Sequence, residues 1–246
     1  MIRRAMVMGF VLASFGACDS GGGATTEADT VDAADTGEAV DTGEATDTTV
    51  AVDEDTAPSV DTTPAVDDYP PGPYGGDYLD IADPDLSFYD PWADSYTYLR
   101  DYYGDPSIKV VLITSGAGWC SACMLEAWDL VETYDTYHSQ GLEIISTLFE
   151  DANGLPMWAD AHRRAADMAL MNDWRDNAGV HIGLPKRVVN YPLFVDIGYK
   201  LGEYYDKQAT PFTIMVRTSD MRVVYRAVGY SAGSISDNVK TVLFAN

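Results

Sequence analysis

Basic residues are scarce in this 246-residue chain: 15 Lys and Arg stand against 39 Asp and Glu, a formal charge of −24. Phosphate neutralisation needs clustered cations, so nucleic acid is not expected as a partner. The shortage is uneven. Residues 19–68 carry 15 acids, 11 Thr and no Lys or Arg, whereas residues 69–246 carry 24 acids and 13 bases. Most of the charge therefore belongs to one segment and not to a folded surface. Cysteine is scarce too, at Cys18, Cys120 and Cys123, and the histidines are only His138, His162 and His181. A tetrahedral site needs about four ligands, and these residues show no ligand-like spacing. No metal and no other cofactor is expected. Neither is a serine hydrolase. The longest apolar run near the N-terminus is too short to span a bilayer as a permanent helix.

That run has a different meaning. Arg3 and Arg4 precede Ala5–Phe15, and the small residues Gly16–Ala17 precede Cys18. A charged start, a short apolar stretch and a small-residue end make residues 1–17 a signal peptide. The ending Phe-Gly-Ala-Cys resembles a bacterial lipobox, with Phe15 where Leu, Val or Ile is usual. It predicts cleavage before Cys18 and lipidation of its thiol; ordinary signal cleavage is the alternative. Either route takes the chain to the cell envelope, facing the periplasm or exterior, where disulfides persist. Acyl chains on Cys18 would make the membrane a partner through a lipid anchor. Residues 18–68 then follow as near-repeats such as VDTGEATDTT, with no apolar period to bury. Such a segment is expected to be a disordered tether reaching roughly 40 Å.

Composition changes at Tyr69. The stretch 69–92 is rich in Pro, Gly and aromatics and reads as turns and short strands over a core edge. Alternating elements follow. Ile108–Ser115 is a short apolar run suited to a buried parallel strand. Residues 121–139 put Cys123, Ala127, Leu130 and Tyr134 on one helix face, and Gly141 stops that helix. Leu142–Phe149 reads as a strand, Pro156–Asn177 as one or two helices, and Leu193–Val195 as a short strand. Phe212–Arg217 and Arg222–Val228 form a hairpin, and Ile235, Val239, Val242 and Leu243 mark a last amphipathic helix. The order predicts an α/β domain over 69–246 with a central mixed sheet flanked by helices.

The chemistry concentrates in SGAGWCSACMLE, residues 115–126. Cys120 falls at the start of the 121–139 helix. Unpaired backbone N–H groups and the positive dipole end favour a thiolate there, which makes Cys120 the attacking sulfur. Cys123, one turn on, is placed to resolve a mixed disulfide. Trp119 would cover one side of the pair. Glu126 lies three residues past Cys123 on the same face, placed to take the Cys123 proton or simply to help the helix dipole. A one-cysteine peroxidase is disfavoured by Gly116–Ala117–Gly118–Trp119, where that chemistry typically shows Pro and Thr. A permanently closed structural disulfide in a non-enzymatic binding module stays open as the alternative. Arg163–Arg164 read as solvated surface and Asp196 as a strand end without chemistry.

Gly118–Cys123, Glu126, Thr210–Pro211–Phe212 and the run from Tyr191 to Tyr230 together resemble the thioredoxin superfamily, and within it the extracytoplasmic TlpA-like thiol–disulfide oxidoreductases. The resemblance implies a thioredoxin-like three-layer fold over roughly residues 75–246. It implies disulfide exchange with extracytoplasmic protein thiols and with a redox partner, in a direction the sequence leaves open. It also implies a cis bond at Pro211, with Thr210 and Trp119 beside the substrate and Phe212 in the core. Four departures stand out. Thr114 replaces the buried Asp of cytoplasmic thioredoxins, Ala127 follows Glu126 where a proline is frequent, Ser121–Ala122 lacks the frequent proline, and the segment 151–192 is long.

Overall fold

The computed structural model of the chain describes residues 68–244. Cys18, the signal peptide and residues 18–67 of the predicted tether lie outside the described residues. Seven strands and three α-helices make up the domain. They are β1 (Ser87–Asp90), β2 (Ser95–Tyr98), β3 (Val110–Ala117), α1 (Ser121–Tyr137), β4 (Leu142–Glu150), α2 (Arg164–Asp176), β5 (Leu193–Val195), β6 (Phe212–Arg217), β7 (Arg222–Val228) and α3 (Ser234–Leu243). They form one sheet in the order β2-β1-β5-β4-β3-β6-β7. The three inner strands β5, β4 and β3 run parallel, and the outer ones are antiparallel to their neighbours.

The continuous apolar runs of β3 and β4 are explained by position. Every residue of both strands is buried, because both faces of the sheet are covered. On one face, Leu112, Ile144 and Met215 of the sheet pack against Leu130 and Val131 of α1 and Ile235, Val239 and Leu243 of α3. Toward the C-terminal ends of the parallel strands, Met171 and Trp174 of α2 join Cys123 and Ala127 of α1 over Leu148, Leu193 and Val195. All three α-helices thus share one face. The other face is covered by the N-terminal segment and by short 3-10 turns. Val111, Ile113, Ile145 and Phe212 lie beneath Tyr69, Leu86, Phe88 and Leu99 from the N-terminal segment, and beneath Leu201 and Tyr205. Leu201 sits in a short 3-10 turn at Lys200–Glu203, where the chain crosses from β5 to β6.

Element boundaries move slightly from the sequence reading. The first long helix ends at Tyr137 and is finished by a 3-10 turn, His138–Gln140, that Gly141 closes at φ 106°. The segment 156–177 yields one α-helix after a 3-10 turn, Ala161–Arg163. The Pro- and Gly-rich stretch supplies β1, and with Ser95–Tyr98 it makes a hairpin at the sheet edge.

Candidate active site

Gly118 turns the chain from β3 into α1. Its N–H donates to Glu150 O, and a Cβ here would come within 2.7 Å of Ala152 N and 2.8 Å of Asp151 C. Only glycine lets the turn press this closely on the end of β4. Cys120 is the N-cap of α1 and is disulfide-bonded to Cys123, with their Cα atoms 5.3 Å apart. Its Sγ accepts from the Cys123 N–H at 3.1 Å. The first turn of α1 holds no acidic residue that would oppose a negative sulfur there. Cys120 is 5% exposed and Cys123 3% exposed, so burial hardly separates the two sulfurs.

Trp119 stands beside the pair, 43% exposed, with its Nε1 donating to Glu150 Oε2 at 2.9 Å. Glu150 Oε1 accepts from Lys207 Nζ at 2.6 Å. Lys207 belongs to the loop that carries Thr210–Pro211, so one buried carboxylate ties the cysteine turn to that loop. The Thr210–Pro211 bond is cis. The register Ser115↔Phe212 places this loop past the C-terminal end of β3, the same sheet end as Cys120. Thr210 is extended, and among the described residues no backbone hydrogen bond takes its N–H or C=O. Phe212 is fully buried and stacks on Tyr205.

Glu126 points inward. It is 2% exposed, and its Oε1 accepts from Thr213 Oγ1 at 2.6 Å and Thr114 Oγ1 at 2.9 Å. Burial raises its pKa from 4.5 to about 7, against the two hydroxyl bonds that lower it, and nearby Asp129 adds to the rise. Thr114, read from sequence as a departure, is thus a partner of the buried acid. The acid comes from the helix and the strand offers the hydroxyl.

Another residue departs from its sequence reading. Arg163 is not solvated surface. It is half-buried, and its Nη2 lies 2.5 Å from Asp151 Oδ2 and 3.5 Å from Asp167 Oδ1, which fastens the loop after β4 to α2. Asp196 does stand at the end of β5, as its sequence reading has it; it is 1% exposed and accepts from the N–H groups of Lys200 and Leu201, and burial raises its pKa to about 6. The sequence 229–233 reads Gly-Tyr-Ser-Ala-Gly, the spacing of a hydrolase elbow, and lies between β7 and α3. Ser231 is exposed, is not among the described residues with positive φ, and bonds no histidine. His138 instead bonds Leu142 O, and His181 bonds Asp173.

Glu150, Lys207, Thr213, Ser146 and Trp174 were not singled out from sequence. An acid closing the strand run LEIISTLFE directly after Leu148–Phe149 was the one available signal for Glu150. The others are gathered only by strand register and by the crossing of α2.

No protein-family model and no curated protein matches the chain. Solved structures do. The thioredoxin domain of a thiol-disulfide oxidoreductase from Bacteroides vulgatus aligns at 15% identity and TM-score 0.46, covering 69% of this chain and 97% of that one. The pneumococcal exposed lipoprotein thioredoxin from Streptococcus pneumoniae aligns at 20% and 0.44, covering 65% and 97%. A secreted disulfide oxidoreductase from Mycobacterium tuberculosis aligns at 12% and 0.41, covering 66% and 96%. By its own strand order, its Cys-x-x-Cys at the start of α1 and its cis-proline before β6, the described chain has a thioredoxin-like fold.

Proposed function

We propose that the protein exchanges disulfides with other proteins of the bacterial cell envelope, to whose membrane a lipid on Cys18 tethers it. One observation carries the exchange reaction: a Cys120–Cys123 disulfide across the first turn of α1, above a buried carboxyl with a pKa near neutrality. In the reducing direction, the Cys120 thiolate attacks a substrate disulfide. A Cys120–substrate bond forms and one substrate thiolate leaves. The Cys123 thiolate then attacks Cys120 Sγ, the intramolecular disulfide closes, and the second substrate thiolate leaves with two electrons transferred. Run backward, the same steps oxidise a dithiol.

Glu126 takes the proton that Cys123 gives up. Its Oε1 already accepts from two hydroxyls, so the proton resides on Oε2. The Thr210 backbone and cis-Pro211 offer an extended substrate segment a strand-like edge, with Trp119 alongside. Trapping tests the proposal. Cys123→Ala should accumulate mixed disulfides with envelope proteins through Cys120, and Cys120→Ala/Cys123→Ala should accumulate none. Near-complete burial of both sulfurs favours the second reading, a binding module with a structural disulfide. A Cys123→Ala protein that traps nothing would decide for it.

A further inference from the structure

Three hydroxyl residues stand in one row across the sheet. Thr114 of β3 is in register with Ser146 of β4 on one side and with Thr213 of β6 on the other. Side chains alternate along a strand, so all three face the same way, toward α1. Thr114 and Thr213 bond Glu126 Oε1. Ser146, at the other end of the row, lines a small cavity together with Cys123, Glu126, Ala127, Leu148 and Trp174. Three residues lining this cavity carry a buried polar atom with no hydrogen-bond partner: Ser115 Oγ, on the strand position that alternates away from Thr114, and Glu126 Oε2 and Trp174 Nε1. An unpaired indole N–H and an unpaired carboxyl oxygen are each costly in a dry interior. The cavity has room for about one water molecule.

We propose that Trp174 is a positioning residue: its Nε1–H and the Ser146 hydroxyl hold one water molecule against Glu126 Oε2, in the cavity that Cys123 also lines. The water accepts from the indole; it donates to Oε2 when Glu126 is ionised and accepts from the Oε2 proton when it is not, and the serine supplies a further partner. This arrangement gives α2, part of the long segment 151–192, a role in the proton chemistry of a cysteine pair it does not carry. The inference deepens the reading of Glu126 as the proton acceptor of Cys123 and rests on it.

The charged and titratable groups around Glu126 are few. On α1 they are Cys123 and Asp129. Tyr191 before β5, Tyr225 of β7 and Tyr230 beyond it all feel its charge. On α2, Asp167 accepts from the Trp158 N–H, Asp173 pairs with His181 and Asp176 with Arg175. With the disulfide closed the thiols are silent, so Glu126 and Asp196, both raised by burial, are the groups to separate.

The test uses the oxidised full-length protein with carbon-13 Glu carboxyls and nitrogen-15 Trp, followed by NMR from pH 5 to 9. The Trp174 indole resonance should move with the midpoint of the Glu126 carboxyl. The response should vanish in Glu126→Gln and persist in Asp196→Asn. Trp174→Phe keeps a ring but removes the N–H, and Ser146→Ala removes the hydroxyl. Each should raise the Glu126 midpoint, by roughly half to one pH unit for Trp174→Phe, since a donor to the anion is lost. An indole that stays still through the Glu126 titration overturns the inference, as does an unmoved midpoint in a folded Trp174→Phe protein. Both results leave the exchange reading intact. A Glu126 carboxyl that does not titrate in this range overturns its role as acceptor, and this inference with it.

Discussion

Between pH 4.5 and about 7 the folded chain holds a proton on Glu126 that the unfolded chain releases. The folded state then binds more protons than the unfolded state, so stability falls as pH rises through this window. The stabilising contribution is fully present below pH 4.5 and is lost above about 7, for a change of about 3 kcal/mol. Glu126→Gln keeps an oxygen for Thr114 and Thr213 and does not ionise. Its stability relative to the native protein should therefore climb by about 3 kcal/mol from pH 4.5 to pH 8, measured by urea unfolding of the oxidised forms. Asp196, also raised by burial, cancels in that difference. A flat difference would mean the carboxyl is already charged in the folded protein. This residue also shows the limit of reading one position at a time. Glu126 was visible from its spacing to Cys123. Its two hydroxyl partners were not, because Thr114 and Thr213 are 99 positions apart and meet only through the β3–β6 register.

At the scale of elements, the turn from β3 into α1 is the most constrained. Gly118→Ala drives a Cβ into the backbone of residues 151 and 152, which cannot swing away as a side-chain tip can. The expected loss is about 1–3 kcal/mol by urea unfolding, with Trp119 and the cysteine turn displaced. A change below about half a kcal/mol would show that the turn has slack. Local pattern made several elements legible. The hairpin at 212–217 and 222–228 and the short strand at 193–195 match their sequence bounds, because β-branched and apolar runs sit between clear turn signals. The edge hairpin was less legible, since Ser95–Tyr98 is half exposed and has no apolar face to betray it. Helices flank the mixed sheet as its element order implies, but the cover opposite α1 was not legible. The crossing from β5 to β6 is filled by 3-10 turns and aromatic side chains, whose packing is non-local.

At the scale of the whole molecule, the domain that carries the cysteine pair is proposed to share its chain with an N-terminal address read from residues 1–18. Among the described residues no helix is long and apolar enough to cross a membrane. The proposed membrane attachment is through Cys18. Cys18→Ala should move the protein from the membrane fraction to the soluble envelope fraction, with the midpoint potential of Cys120 and Cys123 unchanged. A variant that stays with the membrane would contradict the lipid anchor while leaving the exchange reaction standing. The measurement that bears most directly on that reaction is the reduction potential of the Cys120–Cys123 pair, titrated against a glutathione or dithiothreitol buffer. Exchange predicts a midpoint between about −120 and −270 mV, among the known oxidoreductases. A pair that remains oxidised well below about −300 mV would make the bond a structural staple.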